Sequence, residues 1–552
     1  MKVYKFTSTL ITSYCLASLC AMMLITAAPS AYAEEPAEPA EIAIGERLFL
    51  ETRFAQANFS NPGKADITVS YTKTSDGQLP GPFRGRTMNC RNCHMVDEHQ
   101  HTAGAGMRSY TDFASRPPVP ERGDGRKTTR RNAMSMVNVS IPREHGELFH
   151  FDGEFNSLED LVRATLTGRD YGWLRGEKQT AIAHIARVIR DDDGNDELAS
   201  EFGGSYRKVL MGTAKDLGKE HTLPVAYRID VDKASDQQIL DAMARLIAAY
   251  LRDLNFSTDD HGHYNGSPYD RFLDLNNLPR TPDPGESLAA YNQRLLDTVN
   301  RLKAPNFVTA KEGKFTYHKQ PFKFGIQELA GMKLFLSRGS DTQRGGNCSA
   351  CHQAPHFSDF NFHNTGLTQV NYDALHGAGK FMQLDIPDLM TRNAEYDSYL
   401  PATEQHSKAS ARFRRAAEKD NPGVTDLGLW NVYANPDMPN PQAKLNSMLC
   451  KQLKQRDNKA DADRCQPQLL LPMTIAAFKT PVLRDLGDSN PYMHSGQFDE
   501  LDDAVRFYIS SSTLAKNKIL RNADPELQHI NLTADDIAAL VSFVKALNED
   551  YD

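Results

Sequence analysis

Tryptophan is nearly absent from this chain of 552 residues, with only Trp173 and Trp430. Long apolar runs are equally scarce. Beyond about residue 28 none is long enough to span a bilayer as a helix, which excludes a membrane span in the mature chain. Basic charge is not in excess either: 63 Lys and Arg face 71 Asp and Glu, a net charge of −8. That lacks the positive footprint of a nucleic-acid-binding protein. What remains is an ordinary globular composition, 40% hydrophobic and 24% charged, with room for two or more domains.

The first 33 residues read as a secretory leader. Lys2 and Lys5 precede an apolar run from about Leu10 to Ala28, and Ala31-Tyr32-Ala33 stands before Glu34-Glu35. Leu19 before Cys20 is too large for a lipoprotein signal. Residues 1–33 hold two lysines and no acid, so their removal leaves 61 basic and 71 acidic side chains, net −10. The expected location is the periplasm. The eight cysteines sort accordingly. Cys15 and Cys20 leave with the leader. Cys450 and Cys465 sit in a polar insert at about 434–471, where an oxidising compartment makes a disulfide the expected state.

The other four carry the chemistry. Cys90-Arg91-Asn92-Cys93-His94 and Cys348-Ser349-Ala350-Cys351-His352 both have the spacing C-x-x-C-H. Two thiols so spaced can add to the two vinyl groups of one porphyrin, and the adjacent His can ligate its iron. A structural zinc site would want a second Cys/His pair beside each motif, and a redox dithiol would not need the His. The reading is two covalently bound c-type haems, with His94 and His352 as proximal ligands.

The chain repeats itself loosely around these motifs. Ile44-Gly45-Glu46-Arg47-Leu48-Phe49-Leu50 precedes the first, and Ala330-Gly331-Met332-Lys333-Leu334-Phe335-Leu336 the second; the first copy has an extra polar stretch at about 55–85. Behind the motifs, Arg131–Asn138 and then Phe149–Val162 echo Phe478–Arg484 and then Pro491–Val505: an extended entry, a Gly turn and an acidic-capped amphipathic helix. Each half closes with a strong helix, one opened by the capping box Ser235-x-x-Gln238 and the other by Thr533. The expected fold is mainly α, two cytochrome c-type haem domains in tandem with few strands. The first domain would run over 41–256 and the second over 326–552, joined by a linker at 257–325 with its own helix near Glu286–Leu302.

These elements together resemble the bacterial dihaem cytochrome c peroxidases and the related MauG-like enzymes, over most of residues 41–552. The resemblance implies a peroxidatic N-terminal haem and an electron-transfer C-terminal haem, with hydrogen peroxide as oxidant. It places a catalytic carboxylate at Glu159, where chemistry wants a group to move a proton between the peroxide oxygens; a helix-N-terminal acid is the plain alternative. Where the family has a Gln, ten residues earlier, this chain has Phe149, so either His150 substitutes or that interaction is missing. Fourteen residues after His494, where the peroxidases have an axial Met, stands Tyr508, as in MauG-like enzymes. A phenolate favours ferric and higher iron, while a Tyr on a helical face with Leu501 and Val505 could equally be core; Met473, Met493 and His494 are the other candidates. The family's inter-haem Trp position is Val137. His99 and His101 are candidate distal ligands or plain surface histidines. The resemblance also implies one calcium ion, with Ser489-Asn490-Pro491 on one side of its site, and as electron source a small cytochrome or cupredoxin, a protein substrate or an organic one. The rival functions are a dihaem electron-transfer cytochrome and a haem oxygenase acting on an organic substrate.

Overall fold

The computed structural model describes residues 38–60, 89–90, 93–94, 98–99, 107–108, 119–316, 318, 320–456, 465–487 and 489–550. The leader, most of the 55–85 stretch, His101 and the side chain of His99 lie outside them. The chain is mainly helical. The strands among the described residues are two short antiparallel pairs, Glu98–His99 with Met107–Arg108 and Phe362–His363 with Phe478–Lys479.

Six helices position the two motifs: α1 (Ala40–Leu50), α2 (Leu158–Leu166), α3 (Asp236–Asp253), α4 (Ile326–Leu336), α5 (Leu501–Lys516) and α6 (Ile537–Lys545). The start of α3 is fixed by its capping box, with the Gln238 amide donating to Ser235 Oγ and the Ser235 amide donating to Gln238 Oε1. Thr533 and Asp536 form the same arrangement ahead of α6. α1 packs across α3 and α4 across α6. Both crossings pass over a glycine at the same place in the repeated sequence. A Cβ on Gly45 would stand 2.3 Å from the Leu246 carbonyl oxygen, and one on Gly331 would stand 1.9 Å from that of Ala539.

Three apolar cores result. The first joins α1, α2, α3 and the helix Lys178–Asp191. The second joins α4, α5 and α6 to the segment 257–325, which carries two helices, Pro268–Leu275 and Leu288–Arg301, and buries Tyr269, Phe272, Tyr291 and Leu295 against them. The third holds Leu148 and residues between Phe362 and Ala477, including Phe413, Trp430 and Tyr433. It is far wider than the polar stretch 434–471 suggested, because its apolar residues are scattered through irregular chain rather than set at a helical period. Cys450, on the helix Gln442–Arg456, is disulfide-bonded to Cys465.

The glycine crossings are stiff constraints, since the atom met is a backbone carbonyl that cannot swing aside. Gly45→Ala and Gly331→Ala are each expected to destabilise the protein by about 2 kcal/mol or more, as overpacking does. Urea unfolding monitored by circular dichroism measures this.

Candidate functional site

The two halves build their sites from matching loops. Phe149 and Phe155 form one antiparallel bridge and Tyr492 and Phe498 another, with the Phe149 amide donating to the Phe155 carbonyl at 2.8 Å and Tyr492 to Phe498 at 2.7 Å. Each loop holds its second residue at positive φ, His150 at 62° and Met493 at 70°, and closes through a glycine at positive φ, Gly153 and Gly496. α2 and α5 follow. Ser157 caps α2 by accepting from the Asp160 amide at 3.2 Å.

A cavity of about 490 Å³ lies between the first loop, α2 and the 131–139 segment. Cys90, Cys93 and His94 form one wall, and both thiols are free of disulfides. Burial pushes the Cys90 thiol up to about 11. His94 Nδ1 bonds the Met134 carbonyl at 2.8 Å. That bond fixes the ring and leaves Nε2 as the nitrogen with a lone pair to offer. Phe149, Leu158, Leu161, Val162, Leu251 and Phe360 supply apolar surface, and Arg126, Arg130, Arg143 and Arg169 supply positive charge. A flat apolar macrocycle with two carboxylates, tethered by two thiols and ligated by an imidazole, matches this lining in size and in chemistry. The residues present therefore fit a haem.

At the second motif the His352 ring repeats the arrangement, its Nδ1 on the Phe357 carbonyl at 3.0 Å and the Pro481 carbonyl also in hydrogen-bond reach. Met134 and Pro481 occupy the two echoing stretches noted above. Tyr508 is brought to this motif: burial raises its phenol, and the Cys351 and Cys348 thiols beside it add to the shift. Its counterpart by position, sixteen residues after the start of the loop in both halves, is Thr165, which lines the first cavity.

Glu159 is not in the cavity. α2 turns Leu158, Leu161, Val162 and Thr165 inward. Helical phase then carries Glu159 to the outer face, where Arg252 grips it at 2.8 and 3.0 Å. Burial works to raise this carboxyl, and the Arg252 hydrogen bonds outweigh it. The carboxylate that does line the cavity beside His150 is Glu154. His150 Nδ1 lies 3.2 Å from Glu154 Oε2, and Arg414 holds the same carboxylate at 2.6 and 3.1 Å. Arg414 also donates to Asp152, and Arg131 pairs with both Asp152 and Asp426. Burial alone would raise the Glu154 carboxyl; Arg414 and His150 overcome it and hold it well below the ordinary carboxylate range. His150, Asp152 and Glu154 offer ligand atoms within 4.8 Å of one another, but the guanidinium groups already neutralise them.

Val137 lines the cavity. Trp173 lies in the first core with its indole N–H on the Phe54 carbonyl at 3.3 Å, and Trp430 lies in the third core beneath Arg392; neither lines the cavity. His494 stacks on Phe478 with ring centres 3.6 Å apart, and its burial drives its pKa down to about 3. Met473 packs against the third core. At the expected calcium segment, the Asn132 side-chain amide donates to the Pro491 carbonyl at 2.7 Å, so that carbonyl is already engaged.

The buried charge cluster sets an acid limit on stability. Glu154 and Asp426 have folded-state pKa values below their ordinary ones. Their contribution is complete above the ordinary carboxylate range and is lost as pH falls through it, from about pH 5 downward. Arg414→Met removes the guanidinium from Glu154 and leaves Asp152 with Arg131 alone, and is expected to cost about 3–5 kcal/mol at neutral pH. It should also flatten the acid dependence, as urea midpoints across pH 4–7 would show.

No family model matches the chain. In sequence it is 36% identical over 453 residues to the cytochrome-c peroxidase IdrP1 of Denitromonas iodatirespirans, across 81% of this chain and 89% of that protein. Solved structures similar to it include the diheme peroxidase BthA from Burkholderia thailandensis, at 17% identity and a TM-score of 0.44 over 93% of this chain and 86% of that one. A MauG-like protein associated with microbial copper homeostasis aligns at 16% identity and a TM-score of 0.43, over 93% and 91%. On the strength of the sequence match, the chain belongs to the bacterial cytochrome-c peroxidase family and is an oxidoreductase.

Proposed function

We propose that this protein is a periplasmic dihaem enzyme that reduces hydrogen peroxide with electrons from a small cytochrome or cupredoxin, or from a protein or organic substrate. One observation carries the reading: Cys90, Cys93 and a His94 anchored through Nδ1 share one wall of an apolar, arginine-rimmed cavity of about 490 Å³. In it, Cys90 and Cys93 form the thioether links to the first haem and His94 its proximal bond; Cys348, Cys351 and His352 do the same for the second. The haems, when bound, supply the iron that cleaves peroxide and stores the resulting oxidising equivalents.

The chain's own residues divide the work. Thr165, a short side chain at the first cavity, would leave room there for peroxide, whereas Tyr508, beside the second motif, would offer that haem a hard oxygen donor. Arg126, Arg130 and Arg169 receive the propionates. The reading 1–33 as a leader and the Cys450–Cys465 disulfide support an oxidising compartment outside the cytoplasm.

The purified protein is expected to carry two haems per chain by pyridine haemochrome assay, and neither after Cys93→Ser combined with Cys351→Ser. Mixing the fully ferric protein with one equivalent of hydrogen peroxide in a stopped flow should bleach the haem spectrum without prior reduction. In Tyr508→Met the second haem should titrate at a higher reduction potential, and the direct ferric reaction should be lost. A wild-type protein inert to peroxide in both the ferric and the one-electron-reduced state would rule out the peroxidase reading.

A further inference from the structure

Peroxide cleavage needs a group that can take a proton from one oxygen and return it to the other, and the carboxylate on α2 is turned away from the cavity. We propose that His150 is that group, with Glu154 and Arg414 as the positioning residues that set its tautomer; this deepens, and rests on, the peroxidase reading above.

Three observations carry the assignment. First, His150 lines the cavity, and its side chain is 41% exposed. Second, its Nδ1 meets a carboxylate that Arg414 grips with two nitrogens, at 2.6 and 3.1 Å. An ionised carboxylate only accepts hydrogen bonds, so Nδ1 carries the hydrogen on that side and Nε2 is the ring nitrogen left to exchange a proton. Third, the matching loop of the other half keeps the backbone and drops the chemistry. Met493 stands in the position of His150, at φ 70° against 62°, and Gln497 in that of Glu154. A thioether moves no proton and an amide does not fix an imidazole. The dyad is therefore confined to the half whose helix leaves Thr165, not Tyr508, at the cavity. Other polar neighbours are engaged elsewhere: Lys479 Nζ donates to the Leu148 carbonyl at 2.9 Å, and Asp170 pairs with Arg126 at 2.6 Å.

His150 Nε2 would take a proton from one peroxide oxygen and return it to the other, which leaves as water as the O–O bond breaks. The haems, when bound, would supply the two electrons, restored by the one-electron donor, and with two solvent protons the second oxygen also leaves as water.

The test uses the holoprotein and the variants His150→Asn, Glu154→Gln, Glu154→Asp and Glu159→Gln. Asn tolerates the left-handed backbone that His150 adopts. Two rates are read: the spectral change with hydrogen peroxide, and cyanide binding to the ferric protein, in which hydrogen cyanide must also surrender a proton but no turnover occurs. His150→Asn is expected to slow both by about 100-fold or more. Glu154→Gln should slow both by at least about tenfold, with Glu154→Asp partly restoring them, and Glu159→Gln should stay within about threefold of wild type. Unchanged rates in His150→Asn, or a large loss in Glu159→Gln with none in His150→Asn, overturn the assignment while leaving the peroxidase reading standing. A wild type that binds cyanide but ignores peroxide overturns that reading instead. Should Glu154→Gln fail to bind haem, His150→Asn alone decides.

Discussion

A buried lattice of charge holds the first site together. Arg131 joins Asp152 to Asp426, and Arg414 joins Asp152 to Glu154, with ion-pair distances of 2.6 to 2.7 Å. These residues come from three segments that sequence keeps far apart: the stretch after the first motif, the loop before α2, and the third core. Desolvating so many charges is costly, and their mutual attraction only offsets that cost when the geometry is right. The lattice is therefore a weak source of net stability and a strong source of specificity. The 149–155 loop is placed so that both guanidinium groups are paired. That placement sets where Phe149 faces the cavity and where His150 meets Glu154.

Around this point the molecule is built twice. The glycine crossings at Gly45 and Gly331, the loops at 149–155 and 492–498, and the motif histidines anchored through Nδ1 on the Met134 and Phe357 carbonyls are the same solution to the same packing problem. The difference between the halves lies in side chains hung on a common backbone. Thr165 faces Tyr508 across the repeat, and the pair His150 and Glu154 faces Met493 and Gln497. One half is thereby given an accessible cavity with proton-handling groups, and the other a phenol against its motif.

Much of this was legible in sequence. Two C-x-x-C-H motifs, the capping boxes of the closing helices, the repeated glycines and the Cys450–Cys465 pair are local patterns with local causes. The orientation of Glu159 follows from helical phase: Leu158, Leu161, Val162 and Thr165 take the i, i+3, i+4, i+7 positions toward the cavity, and Glu159 falls on the outer face with Arg252. Glu154 was harder, because what makes it functional is Arg414, 260 residues away along the chain. The third core was harder still, since Phe413, Trp430 and Tyr433 lie in turns and short helical pieces without a period to read. Where a residue's role depends on a remote partner, sequence pattern offers the residue type and not the reason.

The scarcity of tryptophan bears on how the two sites communicate. With Trp173 and Trp430 committed to the first and third cores, no indole lines the first cavity. What does reach from one site to the other is backbone. Thr480, Pro481 and Val482 line the first cavity, and the carbonyl of Pro481 is within reach of the His352 ring. The Lys479 amide ties the same strand to the Phe151 carbonyl of the first loop at 2.8 Å, and Ser358 Oγ ties it to the segment after His352 through the Thr480 carbonyl at 2.8 Å. A displacement of either loop must therefore strain one shared strand, which is buried and hydrogen-bonded on both sides. This short stretch of main chain links the two motifs, beside Phe360, which follows the second motif and lines the first cavity.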